Sequence, residues 1–203
     1  MFRSGLVRMS LLLACVVSLS AAGVRAADNP KDPKVVSVAL AKAIAAEDLK
    51  AIHQLCTGTA EQFQTVETMA TALGSIRKFK SACDKQFGPA NSLSKNLAGM
   101  PDLVAEAKKE TFKSEGDVAT AVNKDKPDEK HPMKLKLVDG EWKVDLASMG
   151  DEVATQAAVM ASVAKVFKEG ADDINAGKYG TAEEAAAAIF PKLQAAQQGA
   201  KKQ

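Results

Sequence analysis

The stretch MKLKLVDGEWKVDL, Met133 to Leu146, alternates apolar and polar residues on both sides of Asp139-Gly140. An Asp-Gly pair accepts the positive φ angles of a type I′ turn, so the stretch reads as a β-hairpin. Closure there sets Leu137 opposite Trp142, Leu135 opposite Val144 and Met133 opposite Leu146. One face is then apolar, and the other carries Lys134, Lys136, Val138, Glu141, Lys143 and Asp145. A slip of one residue would reverse both faces, which predicts a fixed register. The apolar face needs a cover, and most of the remaining chain has helical periodicity.

On the N-terminal side, Val36, Leu40, Ala43 and Ile44 recur at helical spacing after an extended lead-in, residues 29–34, with a bend at Ala46-Glu47. Asp48 can cap a short second helix that turns Leu49, Ile52, Leu55 and Cys56 inward. Thr59-x-x-Gln62 is a capping box opening a long helix that Gly88-Pro89 ends. Residues 89–102 read as a connecting loop with one short helical turn. Two strands are predicted, residues 107–113 and 118–123, in a register that the sequence does not fix. Residues 124–132, KDKPDEKHP, read as a solvated loop, since three lysines interleave with Asp125, Asp128, Glu129 and His131 and no cation-loop spacing is met.

Beyond the hairpin, Ser148 is expected to cap a helix with the heptad stripe Val153, Ala157, Met160, Ala164, Phe167, Ala171 and Ile174. A turn over residues 175–180 and a capping box, Thr181-x-x-Glu184, lead into a last helix with a kink at Pro191. The expected fold class is α+β. N-terminal helices pack on a short antiparallel sheet of about four strands, and a C-terminal helical hairpin follows. The expected divisions are a domain over residues 27–147, the hairpin over 148–197 and a frayed tail over 198–203.

The first 26 residues read as a secretory signal: Arg3 and Arg8, an apolar run from Met9 to Ser20, then small residues on either side of Arg25 before Ala27. Leu12-Leu13-Ala14-Cys15 imitates a lipobox, but the apolar run continues past Cys15, which disfavours a lipid anchor. The expected site of action is the periplasm or the exterior. The whole chain has 27 basic and 25 acidic residues, net +2. Removing three arginines and no acid takes this to −1, and Arg77 is then the only arginine. With few aromatic residues as well, a nucleic-acid groove is disfavoured. No transmembrane segment is expected in the mature chain.

Cys56 and Cys83 remain, and the oxidising compartment favours a disulfide between them. The rival use, His53-x-x-Cys56 with Cys83 as metal ligands, lacks a fourth ligand at a recognisable spacing. No metal or cofactor is expected. His53 lies on the flank of its helix stripe, with no nucleophile or carboxylate placed by sequence to work with it.

Helices followed by antiparallel strands, with the closing segment Gly140-x-Trp142-Lys143-Val144-Asp145, resemble the nuclear transport factor 2-like superfamily, in particular its small secreted bacterial members of unknown function. The resemblance covers about residues 35–146. It implies helices lying across the concave face of a curved sheet, with the Gly-x-Trp strand lining the inner cone. The family's enzymes place an acid, histidine or tyrosine in that cone. None is identified here, since Tyr179 falls in the turn between the last two helices. A second similarity, of element order only, is to periplasmic phospholipid carriers of the toluene-tolerance type.

The expected role is therefore binding of a small ligand or a protein partner by a non-enzymatic exported domain, with Leu135, Leu137, Trp142, Val144 and His53 as candidate contacts. One alternative is a carrier of an apolar ligand or lipid between envelope layers, held in a gap between hairpin and helices with Met133, Met149 and Met160 nearby. Another is a cone-fold enzyme using His53 or Asp48. The oligomeric state is not legible in the sequence.

Overall fold

The computed structural model describes residues 31–97, 102–122 and 132–200. Residues 1–26, expected to be a secretory signal, and Asp125, Asp128, Glu129 and His131 of the charged loop lie outside the described residues.

Helix α1, Pro33–Ala46, opens two residues earlier than periodicity suggests, because Asp32 accepts from the Lys34 amide and Pro33 takes a first-turn position where its missing N–H costs nothing. It stops at Glu47, whose φ of 55° is left-handed. Asp48 caps α2, Leu49–Leu55, by accepting from the Ala51 amide. Cys56-Thr57 then extends into a two-residue strand, β1. The Thr59–Gln62 capping box opens α3, Ala60–Phe87, with both reciprocal bonds present. Short helices α4, Ser92–Leu97, and α5, Leu103–Lys109, follow.

Next come β2 (Thr111–Glu115), β3 (Val118–Val122), β4 (Lys134–Val138) and β5 (Glu141–Asp145). A 3-10 turn, Leu146–Met149, leads into α6, Asp151–Asn175, and α7, Ala182–Ala200. The class is α+β, but the sheet sits mid-chain between two helical regions, and it has five strands in the order β1-β5-β4-β3-β2.

The β4–β5 ladder pairs Leu135 with Val144 and Leu137 with Trp142 about a turn in which Asp139 and Gly140 have φ of 53° and 81°. The ladder ends at Lys134 and Asp145, so Met133 and Leu146 are not a strand pair. Instead Leu146 opens the 3-10 turn, where it is buried.

Three further expectations are corrected. The sheet is mixed, because β1 runs parallel to β5 with Cys56 beside Val144. Residues 107–109 finish α5, whose cap Asp102 accepts from the Val104 and Ala105 amides, so the strand starts at Thr111. Ser148 does not cap α6. Its hydroxyl donates to the Asp145 carbonyl and accepts from the Lys134 amide, leaving Gly150 as a cap without a side-chain bond.

Two cores result. The first lies between one face of the sheet and α1, α2 and the start of α3, and holds Val36, Leu40, Ile52, Val66, Leu135 and Val144. The second is helical, with Phe79, Leu93, Phe167, Ile174 and Ile189 buried among α3, α4, α6 and α7. Helix α3 serves both, with Val66 and Ala70 in one and Ile76, Phe79 and Cys83 in the other. The main partner of α6 is α3 rather than α7.

At the changeover, a side chain at Gly74 would collide with the Glu47 carboxyl, which pairs with Lys78 at 2.9 Å. Arg77 donates to the Ile44 carbonyl at 3.3 Å, so the end of α1 is fastened to the middle of α3. Among the described residues no helix is long and apolar enough to cross a membrane.

Candidate functional site

The 3-10 turn and Gly150, with its φ of 74°, bring the start of α6 beside the start of α3, and a cleft of about 300 Å³ opens there. Its floor is Val66, Leu146, Met149 and Val153, and its polar rim is Thr59, Glu61, Gln62 and Thr65. The rim is part of a helix start already built for another purpose. The Thr59 hydroxyl oxygen accepts from the Gln62 amide, and the Gln62 side-chain oxygen accepts from the Thr59 amide at 2.9 Å. The Thr65 hydroxyl donates to the Glu61 carbonyl at 3.0 Å. The Thr59 hydroxyl hydrogen, the Gln62 side-chain NH₂, the Glu61 carboxylate and the remaining lone pairs on Thr59, Gln62 and Thr65 are left for a visitor. Three of the four floor residues, Val66, Leu146 and Met149, belong to the first core or pack against it, and Val153 comes from α6.

None of the five residues expected to bind lines this cleft. Leu135 and Val144 are 0 % and 1 % exposed, and Trp142 is buried with them; all three pack in the first core. Leu137, on the same face, stands open beyond the helical cover.

His53 lies on the surface between α2 and α3. Its ring stacks on Phe63 at 4.3 Å, nearly parallel, and its Nε2 is 2.6 Å from Glu67 Oε1. The two helices thus supply a carboxylate partner that sequence spacing did not reveal. The Asp48 carboxylate is occupied in capping α2. Among the described residues no group of three or more potential metal ligands comes together.

No protein-family model, curated protein or solved structure matches the chain.

Cys56 and Cys83 are free thiols, which corrects the expected bridge. Cys56 shares the first core with Val66, whereas Cys83 lies 17 residues further along the same helix, a rise of about 25 Å. A disulfide needs Cα atoms within about 7 Å. Burial pushes the Cys56 thiol up to about 12. Burial, with the Asp84 carboxylate adjoining, pushes Cys83 up to about 11. Both thiols are therefore held in their unreactive neutral form.

The residues that sequence reading missed are Thr59, Gln62 and Thr65 at the start of α3, and Leu146 and Val153 on either side of the turn at Gly150. The capping box was visible as a helix start, but nothing local marks it as a rim.

Proposed function

We propose that this chain is an exported, non-enzymatic binding domain whose small-ligand site is the cleft between the starts of α3 and α6. The observation that carries the reading is a cavity of about 300 Å³, at the lower end of the range of ligand sites, with an apolar floor and convergent polar groups on one side. It lies where α6 meets the first core, the kind of junction at which ligand sites concentrate. Binding is favoured over catalysis because the two residues an enzyme would use are otherwise engaged: Asp48 caps a helix, and His53 stacks on Phe63 at the surface. The filled hairpin face likewise favours the cleft over a lipid gap beneath β4 and β5.

Export rests on the residues before Ala27, and an intact mass of secreted protein beginning at Ala27 is the expected result. Helices across one face of the sheet, with Trp142 on the covered side, support a nuclear transport factor 2-like reading of the first core. The parallel strand β1 and the second helical core are departures from it.

The test is native mass spectrometry of protein exported by its own host. A small-molecule adduct is expected on the parent and absent from Val153→Trp, which fills the cleft from the α6 side. An adduct retained by Val153→Trp, or none on the parent, overturns this reading.

A further inference from the structure

The two edges of the sheet are finished differently. At one, β1 is two residues long, and so short an edge offers a visiting strand little to pair with. At the other, β2 runs over five residues, all exposed but Phe112, and among the described residues no strand lies beyond it.

The backbone groups that β2 turns outward follow from bonds two strands away. The Leu137 amide donates to the Asp117 carbonyl and the Ala121 amide to the Met133 carbonyl, so residues 117, 119 and 121 turn their backbone groups toward β4. Val118, Thr120 and Val122 therefore turn theirs toward β2, where Glu115, Lys113 and Thr111 stand opposite them. The residues between these, Phe112 and Ser114, direct their N–H and C=O groups away from the sheet.

The side chains of this edge select what can pair with it. Lys113 and Glu115 lie two residues apart, on the opposite face from Phe112, which packs against the first core. Directly across from them in their own sheet are Thr120 and Val118, not charged groups. Lys113-Ser114-Glu115 is thus self-complementary in an antiparallel pair. With a two-fold axis at Ser114, each Lys113 faces the partner's Glu115, and the two Ser114 residues exchange N–H to C=O bonds. Phe112 then faces the partner's Gly116, beside which nothing lies within 4 Å of where a side chain would begin, so the ring has room. An axis at Lys113 would set the two lysines against each other, and an axis at Phe112 would pair Lys113 with Thr111. A lysine that alone would guard the edge therefore fixes one register when Glu115 accompanies it.

We infer that β2 docks a second copy of this chain, edge to edge and antiparallel about Ser114, so that two sheets become one. None of the residues involved lines the cleft, so this interface stands apart from the binding reading.

The test is sedimentation equilibrium of the exported chain from micromolar to millimolar concentration. A reversible dimer is expected for the parent. Lys113→Glu and Glu115→Lys each place like charges opposite one another across the axis, and each should weaken the dimer at least about tenfold without changing the melting temperature. An equal mixture of the two variants should recover the parent's association as a mixed dimer, because each then meets the opposite charges. A parent that stays monomeric to millimolar concentration overturns the inference. So does either variant dimerising as tightly as the parent, or a mixture that associates no better than its components.

Discussion

The two cores of this molecule share one helix but differ in what packs against it, a sheet and helices in the first and helices alone in the second. In the first, the sheet and α1 to α3 meet through branched and long side chains, Val36, Leu40, Ile52, Leu135 and Val144, which fill a space between surfaces of different shape. In the second, only helices meet: Ile76, Phe79, Leu93, Phe167, Ile174 and Ile189 pack with Ala82, Ala171 and Ala185 between them, and Gly170 gives a close approach. Phe79 is 1 % exposed, its ring centre is 5.0 Å from that of Phe167, and it sits against Gly170. Both cores are open to truncation of their large side chains, and the close contact at Gly170 makes the second sensitive to enlargement as well.

The largest expected effect is that of Phe79→Ala, a loss of about 3–5 kcal/mol, since the whole ring is buried and its neighbours are helices already in close contact. Urea unfolding followed by far-ultraviolet circular dichroism, for the helices, and by Trp142 fluorescence, for the first core, tests how separate the cores are. If α3 makes them one cooperative unit, both probes lose stability together; a helical transition that precedes the fluorescence change splits them. Leu135→Ala, the matching truncation in the first core, is expected to cost about 2–5 kcal/mol, with the fluorescence transition moving at least as far as the helical one.

Enlargement sharpens the difference. At Gly170 an added Cβ would stand 2.9 Å from the Phe79 ring and 3.0 Å from Ile189, both buried. Overpacking of about 1–3 kcal/mol should outweigh the roughly 1 kcal/mol of helix propensity gained, so Gly170→Ala is expected to be destabilising in the same urea titration. At Gly74 the obstacle is the Glu47 carboxyl, whose side chain can swing away at the loss of an exposed pair with Lys78. Gly74→Ala should therefore lie within about 1 kcal/mol of the parent.

Each core also holds one thiol whose folded value is raised, from 9.0 to about 12 for Cys56 and to about 11 for Cys83. Below pH 9 both states keep the proton and no effect is expected. Above it the unfolded chain releases protons that the folded chain retains, so stability falls as pH rises, by at most about 1.4 kcal/mol per pH unit for each thiol. Melting curves from pH 8 to 10 should show this decline, reduced in Cys56→Ala and in Cys83→Ala relative to each variant's own stability at pH 8. The smallest effect expected is that of His53→Ala, under about 1 kcal/mol by thermal melting, because its side chain is 52 % exposed and its pairing with Glu67 is open to water.

What the sequence made legible was local. The hairpin pairs Leu135 with Val144 and Leu137 with Trp142 as alternation and an Asp-Gly turn require, and the caps at Asp48 and Thr59 bond as their residue types suggest. Asp102 is an equally local signal, a cap before Leu103-Val-Ala-Glu-Ala-Lys-Lys109, but the turn residues before it read as a loop that runs on into a strand. Strand β1 was not legible, since two residues have no periodicity and their partner lies at Val144, far along the chain. The cysteine pairing failed for a related reason: compartment and parity say nothing of distance, and α3 carries Cys83 away from Cys56. The cleft was the least legible part, because it depends on the direction α6 takes after Gly150 rather than on any residue pattern.

Helix α3 has a consequence for the order in which the protein is made. A chain emerging from the ribosome amino end first completes this helix before either set of neighbours is whole, but the two waits differ. Val66 has α1 and α2 already synthesised, whereas Phe79 and Cys83 have no α6 or α7 to cover them until nearly all of the chain has emerged. Until then, the second half of the helix shows its greasiest side to whatever escorts the nascent chain.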